Sequence, residues 1–209
     1  QLGLGTASLL PNELCTQKCT EALQIGYRHF DTAHFYMNEK GVSDAVINSK
    51  IKREDIFITS KLWPTEYSNA DNALKEMLER FNLSYIDLVL LHWPYGDYIS
   101  AWNALEKYYN EGKIKNIGLS NFYDSTLEDI LKICKVKPVV NQVECNIRKN
   151  KLEFKNVLEK ENIILMAWSP IKNINDEIKE NEEINKMIKK YNKSLIQIII
   201  RWHIQNRNV

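Results

Sequence analysis

Short apolar runs and longer amphipathic stretches alternate along the whole of this chain, and that alternation limits its fold more than any other feature. LGLGT, YRHFD, IFITSK, IDLVLLH, KIKNIGL, PVVNQVE and IILMAW read as strands. Each is followed by apolar residues recurring at helical spacing. Helices are expected in ELCTQKCTEALQ, stopped by Gly26, in NEKGVSDAVINSK, and at residues 69–81, 100–111, 125–135, 152–161 and 181–205. Strand then helix, repeated, predicts an α/β fold in which helices cover a parallel sheet. In the third helix Asp71, Lys75 and Glu79 recur four apart, opposite Leu74, Met77 and Leu78, so one face is charged and the other buried. Gly41 weakens the start of the second helix. The hydrophilic stretch 172–183 is expected to be a mobile loop. No repeat and no linker rich in Gly, Pro or Ser divides the chain, so residues 1–209 are expected to form one domain.

The polar residues that close these runs carry the chemistry. Asp31, Lys61, His92, Ser120, Gln142 and Trp168 end, or directly follow, six different strands. In a barrel of such units the carboxyl ends of the strands form the functional rim. Tyr36 follows Asp31 by five residues in DTAHFY. A phenol with a pKa of about 10 is a poor acid at neutral pH, so a neighbouring ammonium that stabilises phenolate eases proton donation. Lys61 is placed to do so, and Asp31 to neutralise it. An imidazole beside the phenol, His92, can orient or help protonate a substrate oxygen.

Composition excludes several other activities. The 209 residues are 44% hydrophobic and 26% charged, with a net charge of +1 from 28 basic and 27 acidic side chains. These charges are interspersed, which leaves no footprint for nucleic acid or an acidic membrane. Lys186, Lys189, Lys190 and Lys193 read as a solvated helix face. No apolar run reaches the length of a membrane span, IQIIIRW stops at Arg201, and no leader precedes LGLGT, so a cytoplasmic protein is expected. Cys15, Cys19, Cys134 and Cys145 lack paired metal spacing and read as reduced thiols, with no metal expected.

Taken in order, GYRHFDTAHFYMNEKGVSDAV, FITSKLW, IDLVLLHWP, EGKIKNIGLSNF, VVNQVECN and ILMAWSP resemble segments of the aldo-keto reductases. The resemblance spans nearly the whole chain. It implies a TIM-type (β/α)8 barrel and an NADPH-dependent reductase of small-molecule aldehydes or ketones, in which Tyr36, Lys61, Asp31 and His92 are catalytic. It also implies cofactor contacts from Ser120, Asn121 and Gln142 to the nicotinamide carboxamide, with further contacts from Trp168, Ser169 and Thr6. Trp168 stands where the family more often has tyrosine, and a larger ring stacks equally well. Trp63 and Trp93, with His34 and Phe35, are expected to wall the substrate pocket, while Ala7 replaces a common family tryptophan and leaves one wall open. No G-x-G-x-x-G follows a strand, so a Rossmann cradle is not expected.

The chain departs from the family pattern at its end. Seven strand and helix units are counted, and Val209 stands where an eighth strand would begin. The family's Lys-Ser segment, Arg and Asn that grip the adenosine 2'-phosphate have no counterpart, which is expected to weaken cofactor binding by roughly 1.5–3 kcal/mol per lost charged hydrogen bond. An open arc of strands exposes edges and offers a route to association, although the family is usually monomeric. The alternative reading is a catalytically impaired cofactor-binding or regulatory protein, or a truncated fragment.

Overall fold

The computed structural model describes residues 2–172 and 174–209; Asn173, inside the expected loop, lies outside them. The chain forms two compact units, residues 2–141 and 142–209, with the boundary falling inside one strand. Each strand lies beside the next in the chain, from β1 to β7.

The first unit holds β1 (Leu4–Gly5), β2 (His29–Asp31), β3 (Phe57–Leu62), β4 (Leu88–Leu91) and β5 (Ile117–Ser120). Successive pairs among these five are parallel. Between them run α1 (Asn12–Gln24), α2 (Glu39–Asn48), α3 (Ala70–Phe81) and α4 (Tyr98–Asn110), and α5 (Asp124–Ile133) follows. Phe30, Ile58, Val89, Leu90, Leu91, Ile117 and Leu119 are fully buried, each large side chain removed from water contributing about 1.5–3 kcal/mol. The buried face of α3 is Ala70, Ala73, Leu74, Met77 and Phe81. Leu78 is only half-buried. Asn82, at φ 47°, ends that helix in the left-handed conformation.

Gly41 has a role beyond weakening α2. A Cβ there would stand 2.7 Å from the Asn12 backbone oxygen and 2.8 Å from Cys15 Cβ, so α1 and α2 pack too closely for any side chain.

Register places the polar strand ends on one face. Asp31 is aligned with Thr59, and Lys61 stands two residues further along β3. Lys61 is aligned with Leu90, and His92 stands two residues beyond that. Since side chains alternate with period two, all three project to the same side of the sheet, each one step further on.

The second unit contains the end of β6 (Val140–Glu144), then α6 (Leu152–Lys160) and β7 (Ile164–Trp168). It continues with α7 (Asp176–Lys179), α8 (Glu182–Tyr191) and α9 (Leu195–Gln205). Two expectations are corrected here. The single helical region 181–205 is two helices, because Asn192 turns left-handed at φ 49° and Ser194 opens α9 with a reciprocal cap to Gln197. The hydrophilic stretch expected as a loop includes α7, capped by Asn175. Val209 accepts from Ala167 N–H at 2.7 Å and donates to Leu165 O at 3.1 Å, the bonding of a strand residue alongside β7. Among the described residues no helix is long and apolar enough to cross a membrane.

Candidate active site

Asp31, Tyr36, Lys61 and His92 come together within the first unit. Lys61 has no exposed surface, yet its side chain is a cation at the end of a buried strand. Its ammonium is paired with the Asp31 carboxylate and donates to the Thr32 carbonyl at 2.8 Å. Burial of such a charge costs several kcal/mol unless paired, and these partners offset that cost. The same ammonium lies 5.1 Å from the centre of the Tyr36 ring. His92 presents its ring edge to Tyr36 with centroids 5.7 Å apart, at an interplanar angle of 81°.

Tyr36 sits on a short 3-10 turn, His34–Tyr36, just past β2. Burial, the largest influence, raises its pKa above the ordinary 10.0; the Asp31 carboxylate adds to the rise, while the charge and hydrogen bond of Lys61 oppose it. Desolvation outweighs the lysine here, and Lys61 limits the rise as its charge stabilises the phenolate. His92 is pushed from 6.5 down to about 3 by burial, with the Lys61 charge adding and Asp31 partly opposing. It is a neutral imidazole across the physiological range. Its Nδ1 is buried with no hydrogen-bond partner among the described residues.

A cavity of about 630 Å³ opens beside Tyr36. Its apolar lining is Ala7, Leu10, Phe35, Met37 and Trp63, and its polar lining is His34, Tyr36, Thr65 and Glu66. Phe35 and Trp63 stack with centroids 4.0 Å apart. Trp93 is outside this lining; it stacks on Tyr95 at 6.1 Å, and its backbone carbonyl accepts the Tyr67 hydroxyl at 2.9 Å. Leu10, Met37, Thr65 and Glu66 carried no signal in the sequence. They lie on turns and loops between the strands, and what distinguishes them is the three-dimensional neighbour they meet.

Ser120 and Asn121 are buried at the end of β5. The Asn121 amide donates to the His92 carbonyl at 3.2 Å and to Ser120 Oγ at 3.0 Å, at a left-handed φ of 62°. This hydroxyl and amide set, fixed beside the His92 backbone, has the donor and acceptor chemistry that a nicotinamide carboxamide requires. Thr6 has no exposed surface and donates to the Asp31 carbonyl at 3.1 Å, which makes it a brace between β1 and β2 rather than an open contact. In the second unit Gln142 is the third residue of β6, not its last, and its amide nitrogen lies 2.9 Å from Met166 Sδ. Trp168 closes β7 with the Lys172 ammonium 5.9 Å from its ring centre, and Ser169 follows at φ 52°. His29 and His203 hold structural bonds, to Thr59 Oγ1 at 2.9 Å and to the Pro170 carbonyl at 3.3 Å.

Comparisons with known proteins show the family and the fold. The chain superposes on a crystal structure of an aldo/keto reductase from Brucella melitensis with a TM-score of 0.92 and 37% identity, covering 99% of this chain and 80% of that one. The fold is the TIM-type α/β barrel class, with seven strands of it among the described residues. A family model described as Aldo/keto reductase family matches residues 1–209. The chain is 41% identical over 207 residues to a glyoxal reductase of Bacillus subtilis (strain 168), across 98% of this chain and 74% of that protein. It is 37% identical over 211 residues to a methylglyoxal reductase DkgA of Escherichia coli O157:H7, across 99% of this chain and 76% of that protein. The chain belongs to the aldo/keto reductase family, and it is an oxidoreductase of carbonyl compounds served by a nicotinamide cofactor.

Proposed function

We propose that this chain reduces small aldehydes, dicarbonyls such as glyoxal and methylglyoxal among them, with NADPH as electron donor and Tyr36 as proton donor. The observation that carries the reading is the fully buried Lys61 ammonium, paired with Asp31 and set 5.1 Å from the Tyr36 ring, with the His92 ring next to the phenol. The dicarbonyl preference draws on the relatives named for those substrates. NADPH rather than NADH draws on the family resemblance.

When bound, reduced nicotinamide supplies the hydride that reaches the carbonyl carbon. Tyr36 gives its hydroxyl proton to the carbonyl oxygen, and the Lys61 ammonium stabilises the phenolate left behind. Asp31 holds that ammonium in place. His92, neutral, uses Nε2–H to hold the substrate oxygen toward the phenol, since Nδ1 is enclosed. Ser120 and Asn121 orient the nicotinamide carboxamide. A cytoplasmic location is part of the proposal, supported by four cysteines that are all free thiols. A monomer is proposed from the family habit.

The test is NADPH consumption with methylglyoxal by the parent and by Tyr36→Phe. The variant is expected to bind NADPH as the parent does and to lose roughly 10²–10⁴-fold in kcat, the usual worth of a positioned acid. Unchanged turnover in the variant defeats the assignment.

A further inference from the structure

Glu66 joins two loops that the chain places far apart. One carboxylate oxygen lies 2.6 Å from His34 Nδ1, and the other accepts the Trp63 backbone N–H at 2.7 Å. A carboxylate only accepts, so the His34 nitrogen facing it carries the proton. The bond to Trp63 is local, an N-terminal cap on the 3-10 turn Pro64–Asn69 that many acidic residues could supply. The bond to His34 is not local, spanning 32 positions. It reaches the turn that carries Phe35 and Tyr36.

The residues so tied are the neighbours of a stacked pair. Phe35 follows His34, Trp63 is held by its own backbone, and the two rings lie 4.0 Å apart and 15° from parallel. Phe35 is 57% exposed, so little else packs against it. Tyr36, by contrast, is held from its other side by the Lys61 ammonium and the His92 ring. Releasing Glu66 thus frees the aromatic wall of the cavity before it disturbs the proton donor.

We infer that Glu66 is a positioning residue for substrate: by bridging His34 and Trp63 it locks the Phe35–Trp63 stack as a flat wall, and so sets affinity for carbonyl substrates with a flat apolar substituent. This rests on the reading of the cavity as the substrate site.

The experiment compares benzaldehyde with propanal as substrates for the parent, Glu66→Ala, Glu66→Gln and His34→Ala. Glu66→Ala is expected to raise KM for benzaldehyde about tenfold, the scale of an aromatic pair contact, with kcat and the propanal KM within about twofold. His34→Ala, which leaves the local cap intact, is expected to give the same split. Glu66→Gln is expected to restore the parent values, because its amide oxygen can accept from Trp63 and its amide nitrogen can donate to His34 Nδ1 in the other tautomer. Equilibrium binding of benzaldehyde, read by tryptophan emission, needs no turnover. A parent that binds benzaldehyde but reduces neither it, propanal nor methylglyoxal therefore sinks the proposed reaction while leaving the Glu66 bridge tested. The bridge is overturned if both aldehydes weaken alike, if His34→Ala is silent, or if Glu66→Gln fails to restore affinity. Should Glu66→Ala fail to fold, His34→Ala decides the matter alone.

Discussion

The Asp31 carboxylate and the Lys61 ammonium form an ion pair between neighbouring parallel strands, and the lysine side chain in that pair has no exposed surface at all. The register explains it: Asp31 is aligned with Thr59, two residues before Lys61 and on the same face of the sheet. The buried ammonium is tolerated because its counter-charge stands beside it.

Lys61→Met is expected to destabilise the protein by about 3 kcal/mol, since it leaves Asp31 and the Thr32 carbonyl without their cation. It should also lower kcat by roughly 10²–10⁴-fold. Adding Asp31→Asn should recover much of the stability and none of the turnover. Urea unfolding and initial rates on the parent and the two variants separate the two effects; recovered turnover in the double variant contradicts the role given to the ammonium.

His92 ties stability to pH. Its folded pKa of about 3 lies below the ordinary 6.5, so between those values the unfolded chain binds the proton more readily than the folded one. Stability is therefore complete above pH about 6.5 and falls as pH drops toward 3, with on the order of 3 kcal/mol lost by pH 4 from this group. Burial also lowers the pKa of His29 and His203, which add to the same slope. His92→Asn should flatten the slope by the His92 share; denaturant midpoints from pH 7 to pH 4 that remain parallel for parent and variant would falsify this.

The close approach of α1 and α2 is tested by Gly41→Ala. Helix propensity alone favours alanine by about 1 kcal/mol. The added Cβ would meet the Asn12 backbone oxygen at 2.7 Å, which cannot swing aside as a side-chain end could. Overpacking costs about 1–3 kcal/mol, so a net loss of about 1 kcal/mol is expected, with kcat unchanged. A gain in the urea midpoint shows that the two helices yield.

Seven strands were legible because each is an apolar run bounded by turn residues, and Asp31, Lys61 and His92 stood out because each closes such a run, with Tyr36 five residues beyond the first. Where one helix was expected at 181–205, the break was written in Asn192 and Ser194, local capping signals outweighed by a continuous helical periodicity. Trp93 illustrates the opposite difficulty. It follows its strand closely, as Trp63 does, yet Trp63 lines the cavity and the ring of Trp93 stacks on Tyr95 instead.

What the linear order of residues determined by itself was periodicity: which segments alternate, where each strand ends, and which ionisable groups stand at those ends. Tertiary structure alone decided which of them meet and in what charge state. The pairing of Glu66 with His34 across 32 positions, the closeness of α1 to Gly41, the burial that raises the Tyr36 pKa and the desolvation that keeps His92 neutral all depend on distance through space. Burial and Coulomb energy act through that distance, and no local pattern of side chains encodes it.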